Sequence, residues 1–268
     1  MNPDVTCVIG FDCSLQCPAM VALHVVAGKL IGMRYCTSVK READDVVGIY
    51  ARPRREATKL QVKEEKHNYT MRRGAIINTA FTDFYMKMLA HPDVDKIYVA
   101  IEGYGFASQS PGLMELAEVV GYVKSLLYTL GSPYRIYDPN TVKLWATGSG
   151  SAKKLHMVNA AKEKGFDPGD EMFKPGNKFE HPIWFNDESY THDIGGPGSD
   201  LCDAFHLANM LRCELLLDAG DIELQDLTEV VQKQLTKFSK ANPVPLIDRP
   251  FVLSTVLYLK EQEDAKHN

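Results

Sequence analysis

Four carboxylates stand where chemistry could use them. Asp12 closes the apolar run from Val5 to Phe11, and Glu102 closes a second run from Lys96 to Ile101. Asp200 and Asp203 lie three residues apart in a stretch of helical periodicity, so a helix sets them on one face about a turn apart. Taken singly, an Asp after a strand is usually a turn residue, and an Asp near a helix start is usually a cap. Taken together they suggest a shared site. Acids converging at one sheet edge repel each other in a partly dry environment, and a divalent cation is what neutralises them. An all-oxygen donor set favours Mg2+, with Mn2+ able to substitute, over zinc, which prefers nitrogen and sulfur. Two ions about 4 Å apart suit phosphodiester hydrolysis: one turns water into hydroxide and the other stabilises the leaving 3′ oxygen.

Three further groups could serve that chemistry. The run Thr147-Gly148-Ser149-Gly150-Ser151-Ala152-Lys153-Lys154 combines glycines, which let a backbone approach closely, with lysines at an expected helix start. It reads as a phosphate contact carried by Lys153 and Lys154, or else as a surface loop before a helix. It lacks the spacing of a nucleotide-binding P-loop. Residues 52 to 73 hold eight basic residues against three acidic ones, a local charge of +5, with Arg72 and Arg73 at the end. This is a DNA-backbone surface or a solvated charged face. Tyr104 and Phe106, just past Glu102, could stack on an unpaired base or pack into the core. His24, His156 and His206 read as packing or surface residues rather than ligands, with His206 one turn beyond Asp203.

The elements that must position these residues follow from periodicity. Residues 5 to 11, 20 to 26, 29 to 36, 96 to 101 and 134 to 138 read as strands, the second and third forming a hairpin joined at Gly28-Lys29. Helices are expected over 70 to 90, ending at His91-Pro92, and over 113 to 130, ending at Gly131-Ser132-Pro133. Two more are expected over 152 to 164 and from a cap at Ser199 to Leu217. The segment 165 to 198, rich in Gly, Pro, Asn and Asp, reads as a long loop. Two amphipathic pieces beyond Gly220, split at Asn242-Pro243-Val244-Pro245, read as a C-terminal appendage. If the fourth strand lies beside the first in a mixed sheet, Asp12 and Glu102 become neighbours.

Composition sets the bounds. The chain has 268 residues, 45% apolar and 24% charged, with a net charge of −5, the balance of an ordinary globular protein. No apolar stretch is long enough for a membrane span, and Met1 to Thr6 has no basic region leading into an apolar run. A cytoplasmic location is expected, with no membrane partner. Six cysteines, at 7, 13, 17, 36, 202 and 213, form no CxxC pair and are expected to be reduced, mostly buried thiols.

Four segments in order resemble the RuvC family of Holliday junction resolvases, in the ribonuclease H-like superfamily. They are Ile9-Gly10-Phe11-Asp12-Cys13-Ser14, Ala100-Ile101-Glu102-Gly103-Tyr104, the Thr147 to Lys154 run, and Ser199-Asp200-Leu201-Cys202-Asp203-Ala204. The resemblance covers roughly 5 to 36 and 96 to 217. It departs at 13 and 14, where the family often has Pro-Gly, in the inserts near 40–70 and 166–198, and after 220, which resemble those of bacteriophage-encoded relatives. It implies an α/β ribonuclease H-like domain over 1–220, a mixed five-stranded sheet flanked by helices, with a helical appendage over 221–268. It also implies that Asp12, Glu102, Asp200 and Asp203 are the catalytic residues and metal ligands of a homodimeric, Mg2+-dependent DNA endonuclease with two ions per active site. Such an enzyme cuts four-way junctions or other branched DNA, leaving 5′-phosphate and 3′-hydroxyl ends, in the host cytoplasm if bacteriophage-encoded. The alternatives are a ribonuclease H-like nuclease for RNA:DNA hybrids or flaps, and a non-catalytic junction-binding protein.

Overall fold

The computed structural model describes residues 5–14, 18–37, 59–103, 113–168, 183–185, 197–237 and 244–252. Its centre is a mixed sheet of β1 (Val5–Asp12), β2 (Ala19–Val26), β3 (Lys29–Thr37), β4 (Val94–Glu102), β5 (Tyr134–Tyr137) and β6 (Ile183–Phe185), in the order β5-β4-β1-β2-β3-β6. β1, β2 and β3 form an antiparallel meander, β4 runs parallel to β1, and β5 runs parallel to β4. This is the five-stranded mixed α/β sheet flanked by helices that the sequence leads one to expect, extended at one edge by the short β6. β6 falls in the segment read from the sequence as loop. Three residues flanked by loop-forming composition carry too little periodicity to announce a strand, and pairing with Tyr35 to Thr37 supplies what the local sequence does not.

Helices cover both faces, which is why the central strands read as continuous apolar runs. On one face lie α1 (Lys59–Leu89) and α2 (Leu113–Leu130). Their Ile77, Phe81, Phe84, Met88, Val120, Val123 and Leu127 pack with Cys7, Ile9 and Phe11 of β1 and with Ile97, Val99 and Ile101 of β4. On the other face lie α3 (Pro139–Thr147), α4 (Lys154–Glu163) and α5 (Pro197–Asp218). Leu201, Ala204, Phe205, Ala208 and Leu211 of α5 pack there with Val8 and Ala100.

Several boundaries differ from the sequence reading. α1 begins at Lys59, so the second half of the basic window is helical in backbone. α5 begins two residues before Ser199, which therefore sits inside the first turn rather than at the cap. The hairpin turns at Ala27 and Gly28, with φ of 44° and 76°, one residue earlier than expected. α3 was not anticipated, although its signals are local: Asp138 at the N-cap position, Pro139 opening the helix, and Gly148 closing it in the left-handed region.

Beyond α5, a short helix α6 (Glu229–Leu235) contributes Val231 and Leu235 to the α5-side core, and Leu246 joins them. Val252 bridges to Tyr134 at the β5 edge. Arg135 ties these parts together. Its Nε donates to Glu214 Oε2 at 3.1 Å, and one terminal nitrogen donates to the carbonyls of Arg249 and Pro250. Both Arg135 and Glu214 are buried. Cys7, Cys13, Cys36, Cys202 and Cys213 are free, buried thiols as expected. Among the described residues, no helix is long and apolar enough to cross a membrane.

Candidate metal centre

The register of the sheet brings the first two acids together. Parallel pairing of Phe11 with Ile101 sets Asp12 and Glu102 side by side at the C-terminal ends of β1 and β4. The other two arrive on α5, which crosses the same strands, with Asp200 in its first turn, where the helix dipole favours a negative charge. Asp12, Asp200 and Asp203 each offer a carboxylate oxygen, and these atoms all lie within 4.8 Å of one another. Asp12 and Asp200 are buried, with 6% and 9% of their surface exposed. Glu102, at the neighbouring strand end, is close enough to Asp12 for the two carboxyl groups to influence each other directly.

The electrostatics are those of an uncompensated acidic cluster. Burial, then the charges of Glu102, Asp200 and Asp203, push the Asp12 carboxyl well above the usual carboxylate range. Glu102 is raised chiefly by burial. Asp203 is lifted from 3.8 to about 7 by burial and by the Glu102 charge. Proton uptake is how such a site survives without a cation, and the oxygen-only donor set fits a hard divalent ion.

Basic side chains flank the acids. Lys154 Nζ lies 2.7 Å from Asp200 Oδ1 and 2.9 Å from Ser199 Oγ. Partial burial works to lower its pKa, but the charges of Asp200, Asp203 and Asp12 outweigh that and hold the ammonium above its ordinary value. Lys143 of α3 is close enough for its charge to oppose the rise at both Glu102 and Asp203. The sequence reading missed Lys143 because it missed α3, whose Asp-Pro start and Gly stop could have revealed it.

No family model matches the chain, and no curated protein matches it. It is similar to two solved structures of Thermus thermophilus RuvC. One is the protein itself, at 17% sequence identity, and the other is RuvC in complex with Holliday junction substrate, at 14%. Each alignment covers 81% of this chain and 96% of that one, with a TM-score of 0.43.

The remaining predicted residues fall in different places. Lys153 is exposed at the N-cap position of α4, next in the chain to Lys154. Arg72 and Arg73 lie on the helical backbone of α1, on the opposite face of the sheet from α4 and α5, and their side chains lie outside the described part. Tyr104 and Phe106 lie outside the described residues.

None of the three histidines enters the acidic group. His206 is fully buried, with Nε2 2.8 Å from the Met157 carbonyl, and burial lowers its pKa to about 4. His156 Nδ1 accepts from the Lys153 backbone N–H. His24 is buried on β2 beside the His91 ring, and burial again lowers it to about 4.

Proposed function

We propose that this protein is a divalent-metal-dependent, structure-selective DNA endonuclease that acts on four-way junctions or other branched DNA. The observation that carries the reading is the convergence of carboxylate oxygens of Asp12, Asp200 and Asp203 within 4.8 Å, with Glu102 beside Asp12 at the neighbouring strand end. Side chains nearly two hundred residues apart, with Asp12 and Asp200 buried, are brought together at a cost in repulsion.

Asp12, Glu102, Asp200 and Asp203 are the residues that would hold Mg2+ or Mn2+. Two bound ions would supply an activated water and charge stabilisation at the leaving 3′ oxygen, giving 5′-phosphate and 3′-hydroxyl ends. The chain's own contribution is positional. The two strand ends and the first turns of α5 orient the carboxylates, and the packed sheet beneath them limits water on that side. Lys153 and Lys154, at the start of α4, are suited to contact a phosphate beside the scissile one. Arg72 and Arg73 would hold a more distant stretch of backbone, and Tyr104 and Phe106 would stack on an unpaired base. A homodimer would pair two such sites across a twofold axis, matching the symmetry of a four-way junction.

The test is direct. Purified protein with Mg2+ is incubated with a synthetic four-way junction, flaps, RNA:DNA hybrids and linear duplex. Cleavage of the junction in preference to duplex is expected, with Asp12→Asn binding the junction without cutting it. Selective cleavage of hybrids would move the reading to a ribonuclease H-like activity. Binding without cleavage by the unaltered protein would leave a junction-binding role.

A further inference from the structure

The acidic cluster depends on how closely α5 approaches the sheet, and that approach is set by residues that carry almost no side chain. Along β1, Val8, Gly10 and Asp12 alternate onto the α5 face, while Cys7, Ile9 and Phe11 point the other way. Gly10 is therefore the position directly before Asp12 beneath α5. A Cβ placed there would fall inside hard contact of the Ala204 carbonyl oxygen, 2.6 Å from the Ala208 backbone nitrogen and 3.0 Å from the Ala204 carbonyl carbon.

These are main-chain atoms of the helix turns immediately after Asp203. No side-chain rotation can make room for the added carbon. β4 repeats the arrangement, since Ala100 pairs in register with Gly10, stands two residues before Glu102 and is fully buried in the α5-side core. Both acid-bearing strands thus present a minimal side chain one step before the acid, where α5 crosses them.

We infer that Gly10, aided by Ala100, is a positioning residue that sets the distance between α5 and the sheet and so brings Asp200 and Asp203 within reach of Asp12. Comfortable separation of non-bonded heavy atoms is roughly 3.5 Å, so relief of the contact with Ala208 alone requires the helix to move by about 1 Å. Coordination distances at a metal tolerate deviations of only about 0.2 Å. A methyl group at position 10 is thereby converted into misplacement of two of the four carboxylates, while surfaces that bind DNA farther away are left in place. The inference rests on the metal-site reading above.

The experiment compares Mn2+ affinity by calorimetry, thermal unfolding in EDTA, and junction cleavage kinetics in the unaltered protein, Gly10→Ala, Ala100→Val and Leu211→Ala. Leu211 is buried on α5 two turns beyond Ala204, so its truncation loosens the same helix without changing the crossing point. Gly10→Ala is expected to weaken Mn2+ binding by about 10- to 100-fold, the range for residues that hold ligands in place. It should lower kcat, with KM for the junction nearly unchanged and partial recovery at high Mn2+. Ala100→Val should move the same way, and Leu211→Ala should lose stability but keep its Mn2+ affinity.

Unaltered Mn2+ affinity in folded Gly10→Ala overturns the inference, as does an equal loss in Leu211→Ala. If Gly10→Ala does not fold, unaltered affinity in Ala100→Val overturns it. An unaltered protein that binds Mn2+ but leaves branched DNA intact overturns the nuclease reading instead, with the positioning role still decided by affinity. One that binds no Mn2+ overturns both.

Discussion

Replacing Asp203 with asparagine should make the metal-free protein more stable while removing its response to divalent ions. Burial and the Glu102 charge lift Asp203 from 3.8 to about 7. Between those values the folded state binds more protons at this site than the unfolded state, so stability falls as pH rises. The loss begins near pH 4, is complete a little above pH 7, and is absent where both states are protonated. A difference of about three pK units corresponds to about 4 kcal/mol at full ionisation. Water reaching a partly exposed carboxyl reduces this, and about 1 to 3 kcal/mol is expected in practice.

Asparagine keeps the shape and does not ionise. Metal-free Asp203→Asn should therefore unfold roughly 2 to 10 °C above the unaltered protein at pH 8, with the gap closing toward pH 4. With Mg2+ or Mn2+ present the order should reverse, because binding to the folded state stabilises only the protein that retains the site. Thermal unfolding at pH 4, 6 and 8, in EDTA and in millimolar Mn2+, gives the comparison. Parallel pH profiles in EDTA would refute the repulsion argument, as would an Asp203→Asn protein less stable than the original at pH 8.

Other outcomes follow from the same geometry. Lys154→Met removes the ammonium 2.7 Å from Asp200. It should destabilise the metal-free form at pH 8 by about 1 kcal/mol, discounted for an exposed side chain, and slow cleavage at subsaturating junction; unchanged cleavage would place Lys154 outside the phosphate contact. Neutralising Arg72 and Arg73 together should weaken junction binding and reduce the salt slope by about 2, with gel-shift titrations at several salt concentrations as the check. Glu214→Ala leaves the buried Arg135 guanidinium without its carboxylate, and denaturant unfolding should show a loss of about 3 to 5 kcal/mol.

Much of the architecture was legible in the chain alone, because strand and helix periods and their stop signals are local properties. The runs ending at Asp12 and Glu102 gave β1 and β4 with their terminal acids, and Gly131-Ser132-Pro133 marked the end of α2. The D-x-x-D spacing put Asp200 and Asp203 on successive turns of α5 before any contact was known. Local pattern was weakest where elements are short or held by pairing. β6 depends on hydrogen bonds to β3, and α3 went unread despite its terminal residues.

Tertiary structure alone decided how the acids meet. Nothing in the sequence states that Phe11 pairs with Ile101, that α5 rather than α1 crosses the acid-bearing strand ends, or that Gly10 admits the α5 backbone. Nor does it show that Asp12 is buried beside the other acids, or that Arg135 and Glu214 are buried against each other. Residue types and spacings are one-dimensional, whereas distances between residues 12, 102 and 200 emerge from non-local packing of whole elements. The acids and their places at strand and helix ends were therefore readable in the chain, and their separation was not.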